Sequence, residues 1–142
     1  MRATVAWAFA AALFLLLGLV VGCGGTGSVQ VRGTLQRDGK PYQFAKNEQV
    51  QITFSGSGPD GKTAGVRVND DGTFILTGPV NRGLPPGTYK ITLSAEIYGP
   101  KNDGDRFRGA FSDEKSPLSY AVTADAVQEI VVDVGKKTVT KK

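Results

Sequence analysis

The chain has 142 residues, a formal net charge of +4, one cysteine and no histidine. Without histidine it lacks the usual general base, the usual zinc ligand and the usual charge switch near neutral pH, and a single cysteine leaves no intramolecular disulfide. The excess of bases is mild and much of it sits in Lys136, Lys137, Lys141 and Lys142, so the charge does not describe a nucleic-acid surface.

The N-terminus reads as a processing signal. Met1-Arg2 is a short positive start, and Ala3 to Val21 is an almost unbroken apolar run. A charged start, an apolar centre and small residues at the cut define an export signal. Val20-Val21-Gly22-Cys23 resembles the bacterial lipobox. That resemblance implies diacylglycerol transfer to the Cys23 thiol, cleavage between Gly22 and Cys23, and acylation of the new N-terminus by a palmitate-type chain. Two or three acyl chains hold firmly, at roughly 0.8 kcal/mol per buried CH₂. An uncleaved transmembrane helix is the competing reading, because the run approaches the roughly 18 residues that a span needs. Cleavage and secretion without an anchor is a third. Both of the first two leave the remaining chain outside the cytoplasm, facing the periplasm or the cell exterior. Residues 23–28 continue as a lipidated cysteine and a Gly/Ser-rich tether, flexible by composition. Gly24, rather than an acid, follows the cysteine, which favours the outer over the inner membrane. Removing residues 1–22 leaves roughly 120 residues, enough for one domain with an ordinary core.

From Val29 onward the apolar pattern has period two, the mark of half-buried strands. Val29, Val31 and Leu35 form one inward row, and Asp38-Gly39 closes it with a turn. Val50, Ile52 and Phe54 form a second row, followed by the loop 55–61. Ala64, Val66 and Val68 run through Asn69-Asp70-Asp71-Gly72 into Phe74 and Leu76, a hairpin whose Asp and Gly residues tolerate the backbone angles of a tight turn. Pro85-Pro86-Gly87 leads into Tyr89, Ile91 and Leu93. Two last rows are Leu118, Tyr120 and Val122, then Ile130, Val132 and Val134. Seven short strands with Gly/Pro/Asp turns and no helical period predict an all-β fold, a single antiparallel Greek-key β-sandwich over residues 29–135. Residues 136–142 have no apolar face and are expected to be a frayed basic tail.

Val31-Arg32-Gly33-Thr34-Leu35, Asp38-Gly39-Lys40-Pro41, Asn69 to Phe74, Leu84 to Ile91 and Ser116-Pro117-Leu118 together resemble the transthyretin-like, carboxypeptidase-regulatory-like β-sandwich (Ig-like) domains, in the branch of small bacterial lipoproteins. These are turn and core motifs, so the resemblance implies a fold and a structural or binding module without an activity of its own. The chain departs from it in the longer return Gln43–Glu48 and in the extension before Ser116. The enzyme branch of that fold, which hydrolyses a urate derivative, is built on histidines and a different C-terminal ending. This chain has neither.

Other chemistries fare no better. The acids lie mostly in turns or on outward strand faces, where nothing raises one carboxyl as glycoside hydrolysis requires. Asn69-Asp70-Asp71-Gly72 and Asn102-Asp103-Gly104-Asp105 lack the spacing of a calcium loop and read as β-turns. No metal or cofactor is expected. The sharpest candidate is the long connection from Tyr98 to Ser116, because loops beyond roughly 12–15 residues are uncommon in compact domains. Tyr98, Arg106, Phe107, Arg108 and Phe111 would pair guanidinium forks with aromatic faces, suited to an anionic glycan or a partner protein. In the alternative reading Phe107 and Phe111 fold back over the open edge of the sandwich and the arginines are solvated. The sequence therefore predicts a non-enzymatic, lipid-anchored envelope module with a protein or glycan partner. A carbohydrate- or peptide-binding protein using the 98–111 loop is the second reading, and oligomeric state is left open.

Overall fold

The computed structural model describes residues 27–57, 61–77, 83–100, 104–125 and 127–142. The signal, cleavage and lipidation at Gly22-Cys23, the tether up to residue 26 and the turn residues Asn102-Asp103 lie outside them. Among the described residues the chain is all-β, with no helix, and no helix long and apolar enough to cross a membrane. Nine strands form: β1 (Gln30–Arg37), β2 (Lys40–Pro41), β3 (Glu48–Gly56), β4 (Thr63–Arg67), β5 (Thr73–Leu76), β6 (Gly87–Ile97), β7 (Ser119–Val122), β8 (Val127–Asp133) and β9 (Thr138–Lys141). One sheet has the order β2-β1-β8-β9, with β5 also on β1, and the other has the order β4-β3-β6-β7. The inward rows of both sheets meet in one apolar cluster that includes Val31, Leu35, Phe54, Phe74, Ile91 and Ile130. The arrangement is sandwich-like.

Two local rules recur. Asp38 and Gly39 both take positive φ (55° and 77°) between Arg37 and Lys40, which pair across the turn. A two-residue loop with left-handed angles at both positions matches the natural twist of a hairpin. In the middle of β1 the inward row is interrupted by Gly33, opposite Phe74. A Cβ there would lie 2.2 Å from Phe74 Cζ, so the glycine leaves room for a ring that fills its share of the core.

Three features depart from the expected pattern. Among the described residues nine strands stand in place of seven, because the return after Asp38-Gly39 and the C-terminal segment both pair. β1 and β8 run parallel from Gln30↔Val127 to Gln36↔Asp133, so the first sheet is mixed rather than purely antiparallel. Parallel neighbours need a crossover, and here the whole second sheet is threaded between them. The segment expected to fray instead forms β9, with Val132↔Val139 and Asp133↔Thr138 in register on β8. Backbone pairing needs no apolar face, and Val139 alone packs against the core.

Strand directions fix two ends. Val29 enters beside Leu84 with reciprocal backbone bonds of 2.7 and 2.8 Å. The Asp38-Gly39 turn, the Asn69–Gly72 turn, the residues that join β8 to β9 and the start of β3 gather at the opposite end: Leu35 N–H donates to Gly72 O, Tyr42 N–H to Leu35 O, and Asp38 and Gly39 N–H to the Asp133 carboxylate. At about 3.3 Å per residue, the eight residues of β1 separate the chain's entry from this distal end by about 25 Å.

Candidate functional site

The distal end is organised around a buried carboxylate. Glu48 begins β3, whose inward row continues with Val50, Ile52 and Phe54, so strand alternation turns Glu48 into the interior. Its side chain is fully shielded from solvent. A buried charge must be paired and hydrogen-bonded. Tyr42 OH donates to Oε1 at 2.7 Å and Ala45 N–H to Oε2 at 2.6 Å. The guanidinium of Arg106, one-third exposed, closes the group through a salt bridge from Nη1 to Oε2. Burial, and then the bond to Glu48, raise the Tyr42 phenol far above its ordinary value, which keeps it a donor at any physiological pH.

The loop after β6 delivers Arg106. β7 pairs with β6 only from Gly87 to Lys90, and the rest of that β6 edge would be open. The loop covers it: Ile91 N–H donates to Leu118 O, Leu93 N–H to Phe111 O and Arg106 N–H to Ala95 O. Asp105 fixes the bend, because its carboxylate accepts the N–H groups of Ala95 (2.9 Å), Phe107 (3.0 Å) and Gly109 (2.8 Å). Phe107 and Phe111 turn inward and meet edge to face at 5.3 Å, and Phe107 also packs against Tyr42 at 6.0 Å.

The five sequence candidates are therefore separated. Phe107 and Phe111 are buried in the core, at 7% and 3% exposure, and offer no open ring face. Arg106 is bound to Glu48. Arg108 is exposed in a turn at φ 51°. Tyr98 is half exposed, with its OH donating to Glu96 Oε2 at 3.0 Å, a bond that raises its phenol.

Two grooves flank the Tyr42–Glu48–Arg106 group. One, of about 630 Å³, runs between Phe44, Asn47, Gln49, Arg67, Asp70 and Tyr98. Its size lies within the range of ligand clefts, and its lining is mostly polar. The other, of about 390 Å³, lies between the β1–β2 hairpin and Arg106 and is lined by Arg37, Lys40 and Tyr42. Arg37 stands over the Tyr42 ring with its guanidinium carbon 5.2 Å from the centroid, a cation–π distance. Tyr42, Glu48 and Arg37 escaped the sequence reading. Extending the row Val50, Ile52, Phe54 two residues backward would have found Glu48. Among the described residues no group of three or more Asp, Glu or Cys converges in metal-ligating range.

The chain matches no family model, and neither curated proteins nor solved structures return a match to it.

Proposed function

We propose that this chain is a lipid-anchored, non-catalytic interaction module of the bacterial envelope, built on a transthyretin-like Greek-key sandwich. The anchor reading is supported by Val20-Val21-Gly22-Cys23 behind an apolar run, and Gly24 favours the outer membrane. The observation that carries the module reading is polarity along the fold: the chain enters at Val29, and both grooves flanking Glu48 lie at the other end. A tether of a few residues, reaching at most about 3.5 Å each, would let the domain stand off the headgroups and leave that end free to meet partners. The connections β4→β5 and β7→β8 cross between the sheets, in keeping with a Greek key. A non-catalytic role is supported by the way Glu48, Asp105 and Asp133 spend their carboxylates on fixed donors within the fold.

Exposed Tyr98 on the larger groove favours a second reading, a carbohydrate- or peptide-binding protein using the 98–111 loop. The partner in either case is an envelope protein or glycan rather than a nucleic acid. The anchor is tested by expressing the full chain and its Cys23→Ala variant with a clickable palmitate analogue. The expected outcome is label and membrane fractionation for the parent, and loss of the label in the variant. An unlabelled parent with the intact mass of the full chain would refute it.

A further inference from the structure

Around the hairpin groove three acids are spent inside the fold, while Asp38 at the rim and Asp70 and Asp71 in the neighbouring turn stay exposed. Glu48 and Asp133 are each 4% exposed, and Asp105 is occupied by three backbone N–H groups. Arg37, Lys40 and Lys136 are exposed, and none of them has a carboxylate partner among the described residues. Lys136 reaches the hairpin tip, its Nζ within 3.4 Å of where a Cβ on Gly39 would lie. Arg106, Arg37 and Lys40 line the groove together with Asp38, and Lys136 lies beyond it at the hairpin tip, where the Asp38 carboxylate packs against Gly135.

The two guanidiniums beside the groove are held by one frame. Arg37 rests on the Tyr42 ring, Tyr42 is tied by its OH to Glu48, and Glu48 holds Arg106. Pre-organised donors lose little freedom when a ligand arrives, and guanidinium forks match the geometry of carboxylate and sulfate. We propose that this groove binds an oxyanion of an acidic polysaccharide, a carboxylate or sulfate taken between Arg37, Lys40 and the free side of Arg106, with Lys136 meeting the next charge along the polymer. The cations extend around the hairpin beyond the groove itself, which fits a repeating anion better than an isolated one. This rests on the reading of the chain as an interaction module and is independent of its anchor.

The test uses the full chain purified in detergent, with polygalacturonate, dextran sulfate and neutral dextran as probes in calorimetric titrations at several salt concentrations. Saturable binding to one or both acidic polymers is expected, weakening with salt, with none to neutral dextran. The relative strength of the two acidic arms identifies carboxylate or sulfate as the preferred group. Lys40→Gln with Lys136→Gln removes no side-chain hydrogen bond or ion pair among the described residues and should weaken binding at least tenfold. Arg37→Gln should weaken it further, and Lys62→Gln, at the opposite end, should leave it unchanged. Equal binding by the folded Lys40/Lys136 double variant, or acidic polymers binding no better than neutral dextran, would overturn the proposal. A chain that takes up palmitate yet binds neither polymer would refute this site and leave the anchor standing.

Discussion

Replacing Asp133 by asparagine tests whether a single buried charge holds the distal end together. Asp133 ends β8 at 4% exposure. Its Oδ1 accepts the N–H groups of Asp38 (2.9 Å), Gly135 (3.0 Å) and Lys136 (3.0 Å), and its Oδ2 accepts that of Gly39 (2.7 Å). One carboxylate thus binds the β1–β2 turn to the β8–β9 turn. Desolvation opposes its ionisation, but the N–H groups of Lys136, Gly39, Asp38 and Gly135 together outweigh it and hold the carboxyl below its ordinary 3.8. An asparagine can keep three of the bonds through its oxygen, but its NH₂ then faces the Gly39 N–H, donor against donor. A buried donor left unpaired costs about 1–3 kcal/mol, and the remaining bonds lose their charge assistance. The variant should lose about 3 kcal/mol, which for a domain of this size lowers Tm by roughly 10–15 °C. A group whose folded pKa is depressed stabilises above its unfolded pKa and loses that contribution as pH falls through the folded value. Urea melts from about pH 7 down to about pH 2.5 should therefore show parent and variant converging only in the acid range, below the ordinary carboxyl value. A difference that stays constant across that range would refute the assignment of the stability to the charge, and a difference under about 0.5 kcal/mol would refute the accounting of bonds.

Two further substitutions probe the frame and the core. Glu48→Gln should cost about 2–3 kcal/mol in urea melts, since it weakens the anchor of Tyr42 and leaves Arg106 without its counter-charge; Arg106→Gln added to it should cost less than the two changes separately, and strict additivity would argue against coupling. Gly33→Ala should destabilise by about 1–3 kcal/mol because its methyl meets the Phe74 ring; combining it with Phe74→Leu should restore part of the loss, and calorimetric melts of the four combinations read this directly.

Strand identity was legible wherever alternation had both a dry face and a wet face. Val31 and Leu35, Val50 to Phe54, Tyr89 to Leu93 and Ile130 to Val134 are the inward rows that the period of two predicts. The turns at Asp38-Gly39 and Asn69–Gly72 were legible because few residues accept their angles, and Asp71 adds bonds to Thr73 N–H and Oγ1 at 2.9 and 2.7 Å. The candidate site was legible in part. The loop after Tyr98 was marked by its length and composition, and Arg106 does stand at the distal end, but its partner there is Glu48, held by Tyr42, and Phe107 packs behind them in the core.

The sequence settles local matters unaided: which residues alternate, which can bend, and a short basic start followed by a long apolar run. Those depend on sterics and hydropathy within a few residues, and no distant partner is needed to express them. The tertiary structure alone decided that β1 takes β8 as a parallel neighbour, that Thr138–Lys141 becomes a strand, and that Glu48 is sealed in by Tyr42 and Arg106. Each of these is a choice of partner across long stretches of chain. Such choices are settled by which exposed edges and buried charges remain to be satisfied once the two sheets have closed on their core.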